Sequence, residues 1–220
     1  MTIAPSSHQN SVYHADARLD LRTIAQLVPT GSKVLDIGCG NGDLLDMLVN
    51  EKNVDGRGLE LSQSGVNMCV ARGLSVVQGD ADRDLTYYPS NAFDVVILSQ
   101  TLQATQHPRT VLLEMARIGR QLIVSIPNFG HWSVRLDLLR RGRMPETDTL
   151  NSKWYDTANI HLCTLWDFVD LAREVGLSVD QHITLSGTKV HQGAGHISWL
   201  DNWRAEIAVF TLLRAKPQGE

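Results

Sequence analysis

Three features of this sequence predict an α/β domain in which a mostly parallel sheet lies between two layers of helices. A short apolar segment, Lys33-Val34-Leu35-Asp36-Ile37, runs into the turn Gly38-Cys39-Gly40-Asn41-Gly42 and then into a helical pattern of Leu44, Leu45, Leu48 and Val49. The run Phe93-Asp94-Val95-Val96-Ile97-Leu98 is almost unbroken in apolar character, as a central strand covered on both faces requires. Strand-like and helix-like segments alternate through the first five strands, an order that builds parallel sheets through helical crossovers.

Taken in order, residues 1–14 are polar and are expected to be disordered, with one ordered domain over 15–215. Leu21, Ile24, Ala25, Leu27 and Val28 fall at helical spacing, and Pro29 and Gly31 stop that helix. The glycine turn joins the first strand to its helix. The second strand, from Val54, ends in Glu60, and its helix over 64–72 closes at Gly73. A third strand over 74–78 leads into Gly79-Asp80-Ala81-Asp82, and the fourth strand continues into Ser99-Gln100-Thr101. A helix over 108–117 precedes a fifth strand at 121–126, which ends at Pro127.

An insertion at about 128–163 follows, with Asn128-Phe129-Gly130-His131-Trp132, a helical stretch over 134–139, the basic run Arg140-Arg141-Gly142-Arg143 and an aromatic loop containing Trp154 and Tyr155. Thr164 with Asp167 three residues on marks the start of a helix that ends at Gly176. Residues 177–185 and 206–213 are expected as the last two strands. The glycine-containing stretch 186–204 reads as a long connection, flexible or facing a partner.

Composition narrows the class of function. The chain has 220 residues, 43% of them hydrophobic, which suits one well-filled domain. A net charge of −4 gives no general attraction to nucleic acid or to anionic membranes, so neither is expected as a partner. Cys39, Cys69 and Cys163 are odd in number and lack metal-ligand spacing, so neither a disulfide framework nor a metal site is expected. No apolar run approaches ~18 residues and the N-terminal stretch lacks the pattern of a signal peptide, so a cytoplasmic location is expected.

The glycine turn carries the chemistry. The third glycine of a dinucleotide fingerprint G-x-G-x-x-G would fall at position 43, where Asp43 stands, an acid unsuited to a pyrophosphate at a helix N-terminus. Asp36-x-Gly38-x-Gly40-x-Gly42 is instead the form associated with S-adenosylmethionine (SAM), which has an ammonium, a sulfonium and a ribose diol but no phosphate. Acids suit that ligand. Glu60, at the end of the second strand, is placed to accept from both ribose hydroxyls. Asp80 is favoured over Asp82 as acceptor for the adenine amine, with the neighbouring backbone against the ring, although either acid equally suits a helix N-cap. The expected cofactor-binding set is Asp36, Gly38, Cys39, Gly40, Glu60, Leu61, Asp80, Ala81 and Ser99.

The catalytic side is thinner. Ser99 to Gln103 border the methionine end of such a ligand without an acid, a base or a nucleophile. His131 is the one insertion residue whose ordinary pKa suits a general base, and a lone His beside a Trp is more often packed or hydrogen-bonded. The Arg140 to Arg143 run is either a solvated face or a grip for an anion or a partner protein.

Five stretches carry a resemblance: 34–40, Ile97-Leu98-Ser99-Gln100-Thr101-Leu102-Gln103-Ala104, Pro127-Asn128-Phe129-Gly130-His131-Trp132, Arg141-Gly142-Arg143-Met144-Pro145, and Trp154-Tyr155-Asp156-Thr157 with 159–164. Together they resemble the methionine biosynthesis protein MetW family. The tail after about Leu185 matches no clear pattern. The resemblance implies a Rossmann-like three-layer sandwich of the class I SAM-dependent methyltransferase type, with a mixed seven-stranded sheet whose last strand is antiparallel. It also implies SAM or S-adenosylhomocysteine as ligand and a role in methionine biosynthesis beside homoserine O-acyltransferase (MetX). The alternative is a methyltransferase acting on a small molecule bound under the insertion. Neither an Asn/Asp-Pro-Pro-aromatic motif nor a Pro-Cys nucleophile follows strand four.

Overall fold

Alternating side chains on the central strands divide the core into two halves, one on each face of the sheet. The computed structural model describes residues 19–147 and 153–215. The expectation for residues 1–14 falls outside this range. The strands are β1 (Lys33–Ile37), β2 (Asp55–Glu60), β3 (Val76–Gln78), β4 (Phe93–Ser99), β5 (Gly119–Pro127), β6 (Leu177–Ser186), β7 (Lys189–Ala194) and β8 (Ile207–Arg214). The helices are α1 over 19–27, then α2 (Asp43–Lys52), α3 (Gln63–Ala71), α4 (Pro108–Ile118), α5 (Trp132–Arg141), α6 (Leu165–Glu174) and α7 (Trp199–Arg204).

The sheet order is β3-β2-β1-β4-β5-β8-β6-β7. The first five strands are mutually parallel, and β8 runs antiparallel to both β5 and β6. On one face Leu35, Ile37, Val96, Leu98, Leu122, Val124 and Phe210 meet α4 and α6, with Phe168 and Phe210 ring centroids 4.6 Å apart. On the other face Val34, Val95, Ile97, Ile123 and Val209 meet α1 and α2 through Ile24, Val28, Leu44 and Leu48. Side chains two apart on a strand share a face, so Asp36 lies on the α1/α2 side with Val34.

A mixed sheet was expected, but it has eight strands rather than seven. The additional strand is β7, which pairs antiparallel with β6 from Gln181↔Ala194 to Ser186↔Lys189. The stretch 186–204 is therefore a hairpin followed by α7, which Ser198 and Asp201 open with a reciprocal capping box. A residue larger than glycine at 193 would displace the buried ring of His182, which a Cβ there would overlap.

Two asparagines join the second half of the chain. Asn128 Nδ2 donates to the carbonyls of Asn202 (2.9 Å) and Ala205 (2.8 Å), and its Oδ1 accepts from Gly130 N. Asn202 Oδ1 accepts from Leu165 N at the start of α6. Both asparagines are buried, so the Pro-Asn-Phe-Gly stretch locks the end of β5 to α6 and α7. Substitution Gly193→Ala is expected to cost roughly 1–3 kcal/mol by displacing the His182 ring. Chemical denaturation measures it, and an unchanged midpoint would show that β7 accommodates the methyl group.

Candidate functional site

The chain builds β1, β2 and β3 outward in one direction and then places β4 on the other side of β1, so the strand order reverses between β1 and β4. In open α/β sheets, ligands bind in the crevice beyond the strand ends at such a reversal. A cleft of about 190 Å³ lies there. Ile37 and Gly38 line it from β1, Leu59, Glu60 and Leu61 from β2, Gly79 to Asp82 from the β3 end, and Thr101, Ala104 and Thr105 from the segment after β4.

The glycine turn approaches its neighbours closely. Gly38, Gly40 and Gly42 have φ of 69°, 57° and 83°, the left-handed region that favours glycine. A Cβ on Gly38 would lie 2.6 Å from Thr101 Oγ1, whereas one on Gly40 would project into open space. Glu60 holds this turn: its Oε2 accepts from Gly40 N at 2.8 Å and its Oε1 from Ser62 N at 2.9 Å. Ser62 in turn caps α3 by accepting from Gly65 N.

Asp36 stands behind the turn. It is buried, and its Oδ1 has no hydrogen-bond partner. Burial, and then the charge of Glu60, raise its pKa from 3.8 to about 7. Nearby, Gln100 Nε2 donates 2.7 Å to Asp20 Oδ2, tying α1 to the segment after β4. Burial also raises Asp20 to about 6, with the Gln100 hydrogen bond opposing the shift.

The remaining expected residues divide into those at the cleft and those turned away. Glu60, Leu61, Asp80 and Ala81 line it with Gly38. Asp80 Oδ1 accepts from Asp82 N, so the acid caps its own turn, and its Oδ2 is 3.6 Å from Arg83 Nε. Asp82 accepts from Gln106 N and His107 N, both at 2.8 Å, and so holds the entry to α4. Both acids thus work as caps at the cleft wall. The Cys39 side chain packs with Leu45, Cys69 and Leu74, and burial raises its thiol pKa. Ser99 Oγ lies 3.2 Å from Ser125 Oγ, between β4 and β5. Thr101, Ala104 and Thr105 stand at the wall instead. Thr101 falls within the Ser99 to Gln103 stretch expected to border the ligand; Ala104 and Thr105 were missed because position along the strand, without the backbone turn at Gln100 (φ 47°), does not reveal which side chains turn inward.

His131 is not part of the cleft lining. It is buried at the junction after β5, with Nδ1 2.7 Å from Ser133 Oγ and its ring centroid 5.6 Å from that of Trp132. Burial lowers its pKa, against the opposing charge of Glu206 and the backbone of Arg204. A neutral, enclosed imidazole fits a packing role. Among the described residues no group of three or more His, Cys, Asp or Glu is arranged to hold a metal ion, and no helix is long and apolar enough to cross a membrane.

A parallel sheet reversed at β1/β4, a positive-φ glycine turn and an acid at the end of β2 define a protein with the class I SAM-dependent methyltransferase fold. A SAM-dependent methyltransferase from Thermotoga maritima, described as a possible histamine N-methyltransferase, superposes with a TM-score of 0.69 at 19% identity over 92% of this chain and 91% of that one. The sequence pattern of methionine biosynthesis protein MetW matches residues 18–212, and the chain belongs to that family.

Two curated relatives are similar in sequence. The bifunctional methionine biosynthesis protein MetXA/MetW of Rhodopirellula baltica is 32% identical over 174 residues, 75% of this chain and 28% of the relative. The fatty-acid O-methyltransferase of Mycolicibacterium smegmatis is 32% identical over 121 residues, 53% of this chain and 43% of the relative. The chain therefore spans less than half the length of either.

The raised Asp36 pKa has a testable sign. The folded state binds its proton more tightly than the unfolded state, so the stability this carboxyl contributes is complete below pH 3.8 and is lost as pH rises through about 7. Asp36→Asn is expected to remove that loss, making the variant more stable than the parent by on the order of 4 kcal/mol at pH 8 and by less at pH 5. Denaturant titrations at the two pH values measure this. A gap that narrows towards pH 8 would contradict the burial of an uncompensated carboxyl.

Proposed function

We propose that this chain binds SAM or S-adenosylhomocysteine in the β1/β4 cleft and serves as an accessory subunit of homoserine O-acyltransferase, rather than acting chiefly as a methyl-transfer enzyme. The observation that carries the partner is the Rhodopirellula baltica relative, a single bifunctional polypeptide named for both MetXA and MetW. Covalent fusion keeps two components at high effective concentration, an arrangement that suits parts working together.

The residues present fit the ligand. Each Glu60 oxygen accepts one backbone N–H and retains a further lone pair, leaving acceptors for two ribose hydroxyls. Leu61 and Ala81 offer apolar contact beside the acids; Asp36, with its Oδ1 unpartnered, is buried behind the glycine turn, where a bound cation would favour its ionised form. Bound SAM would supply an electrophilic methyl group on its sulfonium. At the wall after β4 this chain offers only the hydroxyls of Thr101 and Thr105 and the methyl of Ala104. None of these is a base at neutral pH.

A regulatory use of the ligand needs the cleft to bias another part of the molecule. The turn Leu102–Ala104 has that position. Ala104 lines the cleft, and the Gln103 carbonyl accepts from Ile160 N (2.8 Å) and His161 N (3.0 Å) of the insertion. Gln103 Nε2 also donates to the Pro127 carbonyl at the end of β5.

The similarity to the fatty-acid O-methyltransferase favours a second reading, methyl transfer to a small acceptor. Calorimetric titration with SAM and S-adenosylhomocysteine, followed by acylation assays of homoserine O-acyltransferase with and without this chain, separates the two. Glu60→Gln is expected to weaken both ligands at least about 10-fold, the loss of one charged acceptor group. The acyltransferase is expected to respond to the chain. An acyltransferase indifferent to it at every SAM concentration, with labelled methyl appearing on a cell metabolite, would replace the first reading by the second.

A further inference from the structure

Helix α5 presents its apolar stripe to solvent. At 100° per residue Trp132, Leu136 and Leu139 fall on one side of the helix, and they are 44%, 39% and 84% exposed. Val134 is the one residue of α5 that is buried, and it points the opposite way. An amphipathic helix on a globular protein normally does the reverse. Arg135 and Arg140 flank the stripe on its two sides.

The stripe continues onto α7. The Arg135 guanidinium lies over the Trp203 ring, 5.5 Å from its centroid, and Trp203 stacks on Trp199 at 5.4 Å with an interplanar angle of 14°. Trp199 is 56% exposed. Open grooves of about 550 and 580 Å³ border the patch, the first lined by Trp132, Ser133, Leu136, Asp137, Arg140 and Arg141, the second by Asp137, Arg141, Arg143, Met144 and Glu146. All five tryptophans of the protein lie between 132 and 203, and none is buried. Exposed Trp, apolar and Arg side chains in one contiguous patch have the composition of a protein–protein hot spot.

Charge selects the occupant. Over residues 135–143 four arginines face one acid, Asp137, in a chain whose net charge is −4. Arg141 pairs with Asp137 at 3.0 Å, while Arg140 and Arg143 make no ion pair among the described residues. A second copy docked isologously would set this cationic patch against itself. An anionic membrane would be repelled by the chain as a whole. A protein surface with an apolar centre and an acidic rim meets both requirements. Building on the partner proposed above, we infer that the α5/α7 face is where homoserine O-acyltransferase docks, through such an acid-rimmed apolar surface.

The experiment uses this chain and the homoserine O-acyltransferase of the same organism, both full length, with affinity measured by calorimetry. Leu139→Asp and Arg140→Glu alter exposed side chains and are expected each to weaken association at least 10-fold, and together to abolish it. SAM affinity and melting temperature should not change. Met68→Asp, at an exposed apolar position on α3, should leave association intact. Association of the parent chain that both α5 variants leave unchanged overturns the docking face alone. A parent chain that does not associate overturns the accessory-subunit reading and this face with it. Variants that instead dissolve a homodimer seen by light scattering, or abolish sedimentation with anionic vesicles, while acyltransferase binding persists, assign the patch elsewhere and overturn the inference.

Discussion

One carboxylate organises the cleft side of this protein. Glu60 stands at the end of β2 and takes backbone N–H groups from two different turns, Gly40 after β1 and Ser62 before α3. Charge-assisted hydrogen bonds of this kind are about twice as strong as neutral ones. They are needed here because three positive-φ glycines leave the β1–α2 turn little stiffness of its own. The same charge lies close enough to Asp36 to help keep that carboxyl protonated near neutrality. Glu60 thus fixes the turn and adds to the larger effect of burial on the acid behind it.

The two halves of the chain carry different surfaces. From β1 to β4 the cleft is lined by acids, glycines and small residues together with Ile37, Leu59 and the exposed Leu61. From α5 onward the tryptophans gather, together with the arginines of 135–143. The Leu102–Ala104 turn is the seam between the two, since it walls the cleft on one side and anchors the Ile160-His161 backbone on the other.

The sequence disclosed the first half better than the second, for a physical reason. Central parallel strands are buried on both faces, so β1, β4 and β5 appear as dense apolar runs. The β7 segment Lys189-Val190-His191-Gln192-Gly193-Ala194 is a largely exposed strand whose existence depends on pairing with β6, and it shows no alternation to read. Helix α7 was legible but overlooked: Ser198-Trp199-Leu200-Asp201 repeats the capping pattern of Thr164-Leu165-Trp166-Asp167, which had marked α6. At the cleft, Glu60 and Gly38 were readable from their place at strand ends. Thr101 was expected at the border only as one of five residues from Ser99 to Gln103, and Ala104 and Thr105 were not expected, because the backbone turn at Gln100 determines which side chains face the cleft.

The sheet ends on β3 and β7, strands of three and six residues. An edge this short exposes few unpaired N–H and C=O groups, and Lys189 and His191 further discourage a foreign strand from adding to the β7 side. Backbone pairing is thereby disfavoured as a route to self-association and fibril growth. The molecule can expose aromatic side chains on its helices without also offering a template for cross-β stacking, and adhesion is confined to surfaces whose fit depends on side-chain shape and charge.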